Sequence, residues 1–515
     1  MRRYRRHAVG LGVLAVIAAA CGDRQSILDA GNTAKTVPPV IATPSPATAA
    51  PGQTRPPAPA TTTTIPPSTT ATPLANLPTC PTAALASAAG PIDITFWHGM
   101  NGGLQDTLVA LTDAYNASQT KVHVSLENQG GYEQVIDKFV PASVDSRPDI
   151  VQTSEYSLQQ IIDLKSTVPI GACIESSGFD TSKFLPKVLD YYATEGVQWT
   201  MPFNVSNPVL YYNRVMFAKA GLDPENPPKT LEELRAASDA IVKSGAAKYG
   251  IAFDTGFDNG GGWFIEQWFT KLGQLYADNG NGRLAPATKV LVDTPKSVDL
   301  LKYVQQMILD GVAFNVGDNA TGQANFLKLA DPQEPAAMTI GTSAALGTVK
   351  SVLDGGLIPG LTSKDIGVGP MPGPQGNPGV NVGGASLWIV DGKGDAKTAA
   401  SWDYIKFLVS AQSQSTWAAG TGYVPIRSDA LTLAPIAQTY VDDPRFKVAY
   451  DQLVQTSDDL SAVGPVVGPL REIRVVVAQA VSEIFNGADV TTSLTNAAAQ
   501  SDRLITDYTA RNGGG

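Results

Sequence analysis

Ile92-Asp93-Ile94-Thr95-Phe96 alternates apolar and polar residues and runs directly into Trp97-His98-Gly99-Met100-Asn101-Gly102-Gly103. The alternation predicts a strand, and the glycines predict the turn that ends it. Leu104, Leu108, Leu111 and Tyr115 then form one apolar stripe at helical spacing, closed by Asn116-Ala117-Ser118. Val122, Val124 and Leu126 alternate with Lys121, His123 and Ser125 as a second strand. Gly130-Gly131 turns the chain into a helix over Tyr132 to Phe139, and Asp149-Ile150-Val151-Gln152, after Pro148, predicts a third strand. Strand, helix, strand, helix, strand is the order of parallel β/α units, so the fold class is α/β.

The same punctuation continues downstream. Thr230-Leu231-Glu232-Glu233 is a capping-box pattern opening a helix through Leu234 and Ile241, and Thr294-Pro295 opens another through Val298, Leu301, Val304 and Ile308. Ala337-Met338-Thr339-Ile340 and Ser386-Leu387-Trp388-Ile389-Val390 are apolar enough for central strands. Further helices are predicted over Ala396–Ser410 and Val475–Phe485. No repeat of domain-building length is visible.

Upstream of Ile92 the chain changes character. Arg2, Arg3, Arg5 and Arg6 precede a short apolar run from Ala8 to Ala20, which predicts a signal peptide over residues 1–20. It ends in Ala18-Ala19-Ala20-Cys21, small residues leading to a thiol, which predicts lipidation of Cys21. From Thr36 to Leu74 the sequence is nearly all Pro, Thr and Ala, too poor in large apolar side chains to fold. Residues 21–79 therefore read as a lipid-anchored linker, and 80–515 as the folded part.

Charge narrows the function. The 515 residues carry 37 basic and 47 acidic side chains, a net charge of −10; without the four leader arginines the balance is 33 against 47, or −14. Such an acidic chain lacks the basic surface that nucleic-acid binding needs. Beyond the leader only His98 and His123 remain, in no metal-ligand spacing, so no metal is predicted. Gly383-Gly384-Ala385-Ser386 feeds a strand and is not a nucleophile elbow, and no dinucleotide or phosphate-loop fingerprint occurs. Cys80 and Cys173 remain as one disulfide or two buried thiols; the exported setting favours the bridge.

Five blocks carry a resemblance: Phe96-Trp97-His98-Gly99-Met100; Gly130-Gly131-Tyr132-Glu133-Gln134; Pro202-Phe203-Asn204-Val205-Ser206-Asn207-Pro208-Val209-Leu210-Tyr211-Tyr212-Asn213; Gly383-Gly384-Ala385-Ser386-Leu387-Trp388; and Thr421-Gly422-Tyr423-Val424-Pro425-Ile426. In this order they resemble the solute-binding lipoproteins of ABC importers, and more narrowly the branch that binds glycerol-3-phosphate and glycerophosphodiesters. The resemblance spans about Ile92 to Tyr508. It implies two α/β lobes joined by a hinge, lobe 1 over about 90–200 plus a later segment and lobe 2 over about 205–380 plus C-terminal segments. It implies a monomeric, nonenzymatic receptor without cofactor, held by its lipid to the outer face of the cytoplasmic membrane and serving permease subunits. An oligosaccharide receptor is the alternative, with an exported hydrolase third.

Position by position, the resemblance places Tyr132, Glu155, Ser206, Ser343, Gly384, Tyr423 and Arg474 at the ligand. Arg474 would offer a phosphate its two parallel N–H donors, Ser206, Ser343, Tyr423 and the Gly384 amide would fill further oxygens, and Glu155 would accept glycerol hydroxyls. Ser206 and Ser343 are expected in the lobe opposite Tyr132 and Glu155. Leu231 stands where some glycerol-3-phosphate binders carry tryptophan, which would leave room for a larger headgroup. Trp97 and Trp263, beside glycine-rich turns, are candidate ligand platforms.

Overall fold

The computed structural model describes residues 77–512 except 259, 320–321 and 378. The leader, Cys21 and most of the linker lie outside the described residues.

β1 (Ile92–His98), α1 (Gly102–Ser118), β2 (Val122–Asn128), α2 (Tyr132–Phe139) and β3 (Ile150–Ser154) follow the predicted order. β1 lies between β2 and β3, parallel to both, with Ile94 opposite Val124 and Phe96 opposite Ile150. The α1 stripe Leu104, Leu108, Leu111 and Tyr115 is buried, as its spacing requires. β4 (Thr167–Val168), α3 (Ile170–Ser177), the hairpin β5 (Ala193–Thr194) with β6 (Val197–Gln198), and β7 (Met201–Ser206) complete this part of lobe 1.

After the single residue Asn207 the chain enters lobe 2 with β8 (Pro208–Asn213), α4 (Leu231–Ser244), β9 (Tyr249–Asp254), α5 (Trp263–Lys271), α6 (Pro295–Leu309), β10 (Ala313–Gly317), β11 (Ala336–Thr342) and β12 (Ile366–Pro370). The strand order is β10-β9-β11-β8-β12, parallel among β10, β9 and β11, with β8 antiparallel to β11 and β12. The α4 capping box forms, Thr230 Oγ1 accepting from the Glu233 amide at 2.9 Å. β8 is buried along its whole length: Val209 and Tyr211 face one apolar cluster, Leu210 and Tyr212 the other. Its two-residue period thus serves both layers, which explains why the stretch reads as continuously apolar.

β13 (Gly383–Val390) then returns to lobe 1, inserted antiparallel between β3 and β4 and also paired with β7. α7 (Asp395–Leu408) buries Trp402, Tyr404 and Ile405 in the same core as β1. α8 (Leu470–Phe485) and α9 (Val490–Asn512) belong to lobe 2, with Val477, Ile484 and Leu494 in its cluster. The chain therefore crosses between lobes at Asn207 and along 371–382, and it returns before α8: Arg445 already donates to the Ile366 carbonyl of β12 and Gln452 to the Pro208 carbonyl of β8.

A Cys80–Cys173 disulfide, with 4.9 Å between Cα atoms, fastens the start of the described chain to α3. Ser206 differs from expectation. As the last residue of β7 it pairs with Gly383 in the lobe 1 sheet, because the crossover falls one residue later.

Candidate functional site

β3 delivers Glu155 to the interlobe face. The residue opens a single turn after the strand, is buried, and accepts a hydrogen bond from Ser154 Oγ at 2.6 Å. Arg474 reaches the same point from α8, which begins four residues before it, so the guanidinium projects from inside the helix and does not cap it. Only 1% of Arg474 is exposed. Its Nε and Nη2 donate to the two carboxylate oxygens of Glu266 on α5, at 2.5 and 2.8 Å, and Nη2 also lies 2.9 Å from Glu155 Oε1. The fork predicted for phosphate is thus engaged by Glu266, a residue that sequence reasoning missed.

Two carboxylates therefore share one cation in a desolvated setting. Burial opposes the charge of Arg474, but Glu266 and Glu155 more than offset it and hold its pKa well above the usual value. Burial pushes the Glu266 carboxyl up, with Arg474 pulling it back. The Arg474 guanidinium also sits 5.2 Å from the centre of the Tyr156 ring.

A second, neutral network lies beside this one. The Gly99 amide donates to Gln152 Oε1, Gln152 Nε2 to Asn204 Oδ1, and Asn204 Nδ2 to the Tyr132 hydroxyl at 2.6 Å, which meets the Tyr423 hydroxyl at 3.1 Å. Tyr423 is stacked on Trp417, which fixes its ring. Burial, then Tyr423, keeps the Tyr132 phenol protonated well above its ordinary range. The Tyr192 hydroxyl and Trp263 Nε1 are buried without a hydrogen-bond partner among the described residues. Such atoms are rare in folded proteins unless something else satisfies them.

Gly384 is required by its backbone. Its φ is +96°, and an added Cβ would lie 2.0 Å from the Asn204 carbonyl oxygen where β13 crosses β7. Gly384→Ala is expected to cost on the order of 3 kcal/mol of stability by denaturant unfolding, through the unfavourable φ and the backbone clash together; a loss below about 0.5 kcal/mol would mean the irregular pairing there simply relaxes. Gly383 is similarly closed, since its missing Cβ leaves room for the Trp263 ring.

The predicted residues therefore separate. Tyr132 and Tyr423 are joined by a hydrogen bond, Glu155 and Arg474 by an ion pair, and Ser206 and Gly384 by adjacent positions in the β7–β13 pairing; Asn204, absent from the predicted set, donates to Tyr132. Ser343 donates its amide to the Asn207 carbonyl, and its own carbonyl closes on Gly422 beside Tyr423. Leu231 is the exception. As the first residue of α4 it is buried in the lobe 2 cluster, its amide bound to Gly373 and its carbonyl to Tyr303, and no hydrogen bond among the described residues joins it to the other predicted residues. Trp97 Nε1 donates to Glu127, and Lys138 lies 4.1 Å over its ring. Glu266 had one legible signal, an acid within the otherwise apolar run Trp263-Phe264-Ile265-Glu266-Gln267-Trp268.

Two α/β lobes meeting over a buried polar cluster at a hinge define a solute-binding protein. Residues 110–448 match the family described as bacterial extracellular solute-binding protein, and the chain belongs to it. The sn-glycerol-3-phosphate-binding periplasmic protein UgpB of Pectobacterium atrosepticum is 30% identical over 412 residues, 78% of this chain and 88% of that one. UgpB of Yersinia pseudotuberculosis is 28% identical over 441 residues, 83% and 95% of the two chains. Among solved structures, UgpB from Mycobacterium tuberculosis in complex with glycerophosphocholine has a TM-score of 0.66 at 22% identity, covering 82% of this chain and 99% of that chain. The cyclic alpha-maltosyl-1,6-maltose binding protein from Arthrobacter globiformis has 0.65 at 22%, covering 81% and 100%. The chain is thus an exported substrate-binding component of an ABC importer, working with permease subunits, and not an enzyme. No helix among the described residues is long and apolar enough to cross a membrane, and no group of residues there is built to hold a metal ion.

Proposed function

We propose that the interlobe cluster captures glycerophosphodiesters, glycerophosphocholine among them, and that closure of the two lobes about the hinge hands them to the permease. The observation that carries this reading is Arg474 held between Glu155 and Glu266 among tyrosines, in a chain whose relatives are glycerol-3-phosphate binders. A phosphate monoester, doubly charged near neutral pH, would meet two buried carboxylates with one cation. A diester carries a single negative charge, and a trimethylammonium headgroup brings its own positive charge to surroundings rich in carboxylates and aromatic faces. Ser206, Ser343, Tyr423 and the Gly384 amide supply further donors near the phosphate.

One observation favours the oligosaccharide reading: the Arg474 fork is already filled, leaving carboxylates and phenols of the kind that hold sugar hydroxyls. Calorimetry separates the two. Glycerophosphocholine is expected to bind at least about tenfold more tightly than glycerol-3-phosphate, an electrostatic difference of about 1.4 kcal/mol, with no heat from maltose. Binding of maltose alone would replace the diester reading with the sugar one.

We further propose that the receptor acts as a monomer tethered through acylated Cys21, with the Pro/Thr/Ala linker as spacer. Mass spectrometry of membrane-extracted protein should then carry the acyl mass on Cys21; an unmodified thiol there would refute the anchor.

A further inference from the structure

A groove of about 710 Å³ lies where the two lobes meet, and none of the predicted ligand contacts lines it. Lobe 1 contributes Trp199, which packs on its apolar cluster; lobe 2 contributes Leu284, Pro286 and, from α9, Tyr508. Two hydrogen bonds join the lobes beside it. The Tyr508 hydroxyl donates to the Asp163 carboxylate at 2.7 Å, and Arg283 Nη2 donates to the Tyr191 carbonyl at 3.0 Å. Leu284 leaves 54% of its surface exposed there. A groove lined by aromatic, proline and leucine side chains suits an extended, proline-containing segment, whose preformed conformation costs little entropy to dock.

This chain carries such a segment at the edge of the groove. Leu77 and Pro78 are half-buried and are themselves part of the lining. Two residues later Cys80 is bonded to Cys173 on α3, so the chain is fastened to lobe 1 beside the groove. Upstream, Pro56 to Asn76 contains no charged residue, and it ends in Pro73-Leu74-Ala75-Asn76. The other depression that Leu77 and Pro78 border presents Asp391 and Asp395, which offer a neutral segment no charge to pair with.

We propose that Pro73-Leu74-Ala75-Asn76 docks in this groove, so that the linker leaves the folded part at a fixed place on the lobe junction and the residues upstream of Pro73 act as the spacer. The covalent link supplies the segment at an effective concentration on the order of millimolar, so contacts too weak to hold a free peptide suffice.

The distance between two spin labels tests this in the chain from residue 21, with Cys21→Ser so that the labelled positions carry the free thiols. One label is placed at Thr72→Cys and the other at Asp299→Cys, an exposed position on α6. An undocked stretch of five residues would spread the first label over roughly 12 Å, whereas docking should give one narrow distance. Leu284→Glu, which puts a charge at an exposed position of the groove, should abolish the narrow peak while the thermal midpoint stays that of the parent. If that variant melts early, Thr509→Arg, at an exposed groove position on α9, takes its place. A broad distribution in the parent overturns the proposal, and so does a narrow peak that survives the groove substitution. A narrow peak that vanishes when labelled protein is diluted with unlabelled chains overturns it too, because the groove would then be an interface between two copies. No solute is added, so the outcome does not depend on what the cleft binds.

Discussion

Arg474→Ala is expected to cost about 3–5 kcal/mol of folding stability, because removing the cation strands two buried carboxylates. The expectation follows from the structure: Glu266 is 2% exposed and Glu155 4%, and the guanidinium is the cation that both of them reach. The loss should depend on pH in a definite direction. Burial already raises the Glu266 carboxyl, and Arg474 is what pulls it back. Without Arg474 the folded-state pKa lies further above the unfolded value, so the folded variant binds a proton that the unfolded chain releases. Its stability therefore rises as pH falls through the folded pKa, and the deficit is largest above it. Denaturant unfolding near neutral and at mildly acid pH should show the gap between variant and wild type narrowing on acidification. A deficit that is small, or independent of pH, would mean that water reaches the two carboxylates once the guanidinium is removed.

Breaking the Cys80–Cys173 bridge is expected to have a comparable effect. The bridge closes a loop with a sequence separation of 93 residues, for which loop-closure entropy predicts about 4–5 kcal/mol of stabilisation. That loop contains β1, β2 and β3, the strands that carry Glu155 to the cleft. Removing the bridge by replacing both cysteines with serine should lower the unfolding midpoint, and reductant should do the same to the wild type while leaving the variant unchanged. Ligand affinity should survive, because Cys80 and Cys173 lie in the lobe 1 core and belong to neither polar network of the cleft. Equal midpoints would place the stabilisation in the packing of α3 and of the short helical turn Thr82–Leu85, with little owed to the covalent link.

Much of the fold was legible because its signals are local. The α1 stripe, the alternation of β1 and β2, the capping box of α4 and the Thr294-Pro295 start of α6 each depend on residues within a few positions of one another. The return of β13 to lobe 1 was legible only as an apolar strand: its partners β3, β4 and β7 are set by topology. Leu231 shows what a local signal leaves undecided. The helix start was read correctly, but whether its first side chain faces ligand or core is decided by the elements packed around α4.

By itself, then, the sequence determined the β/α order, the export of the chain, and residues that the fold does bring together: Tyr132 with Tyr423, Glu155 with Arg474, Ser206 beside Gly384. Periodicity, caps and glycine requirements are short-range, so they survive in one dimension. The tertiary structure alone decided that Glu266 holds Arg474, that Glu155 meets it from the other lobe, and that Ser206 ends a lobe 1 strand. An acid in an apolar stretch and an arginine two hundred residues later become a pair only when α5 and α8 pack side by side. Burial then makes leaving either unpaired more costly than joining them.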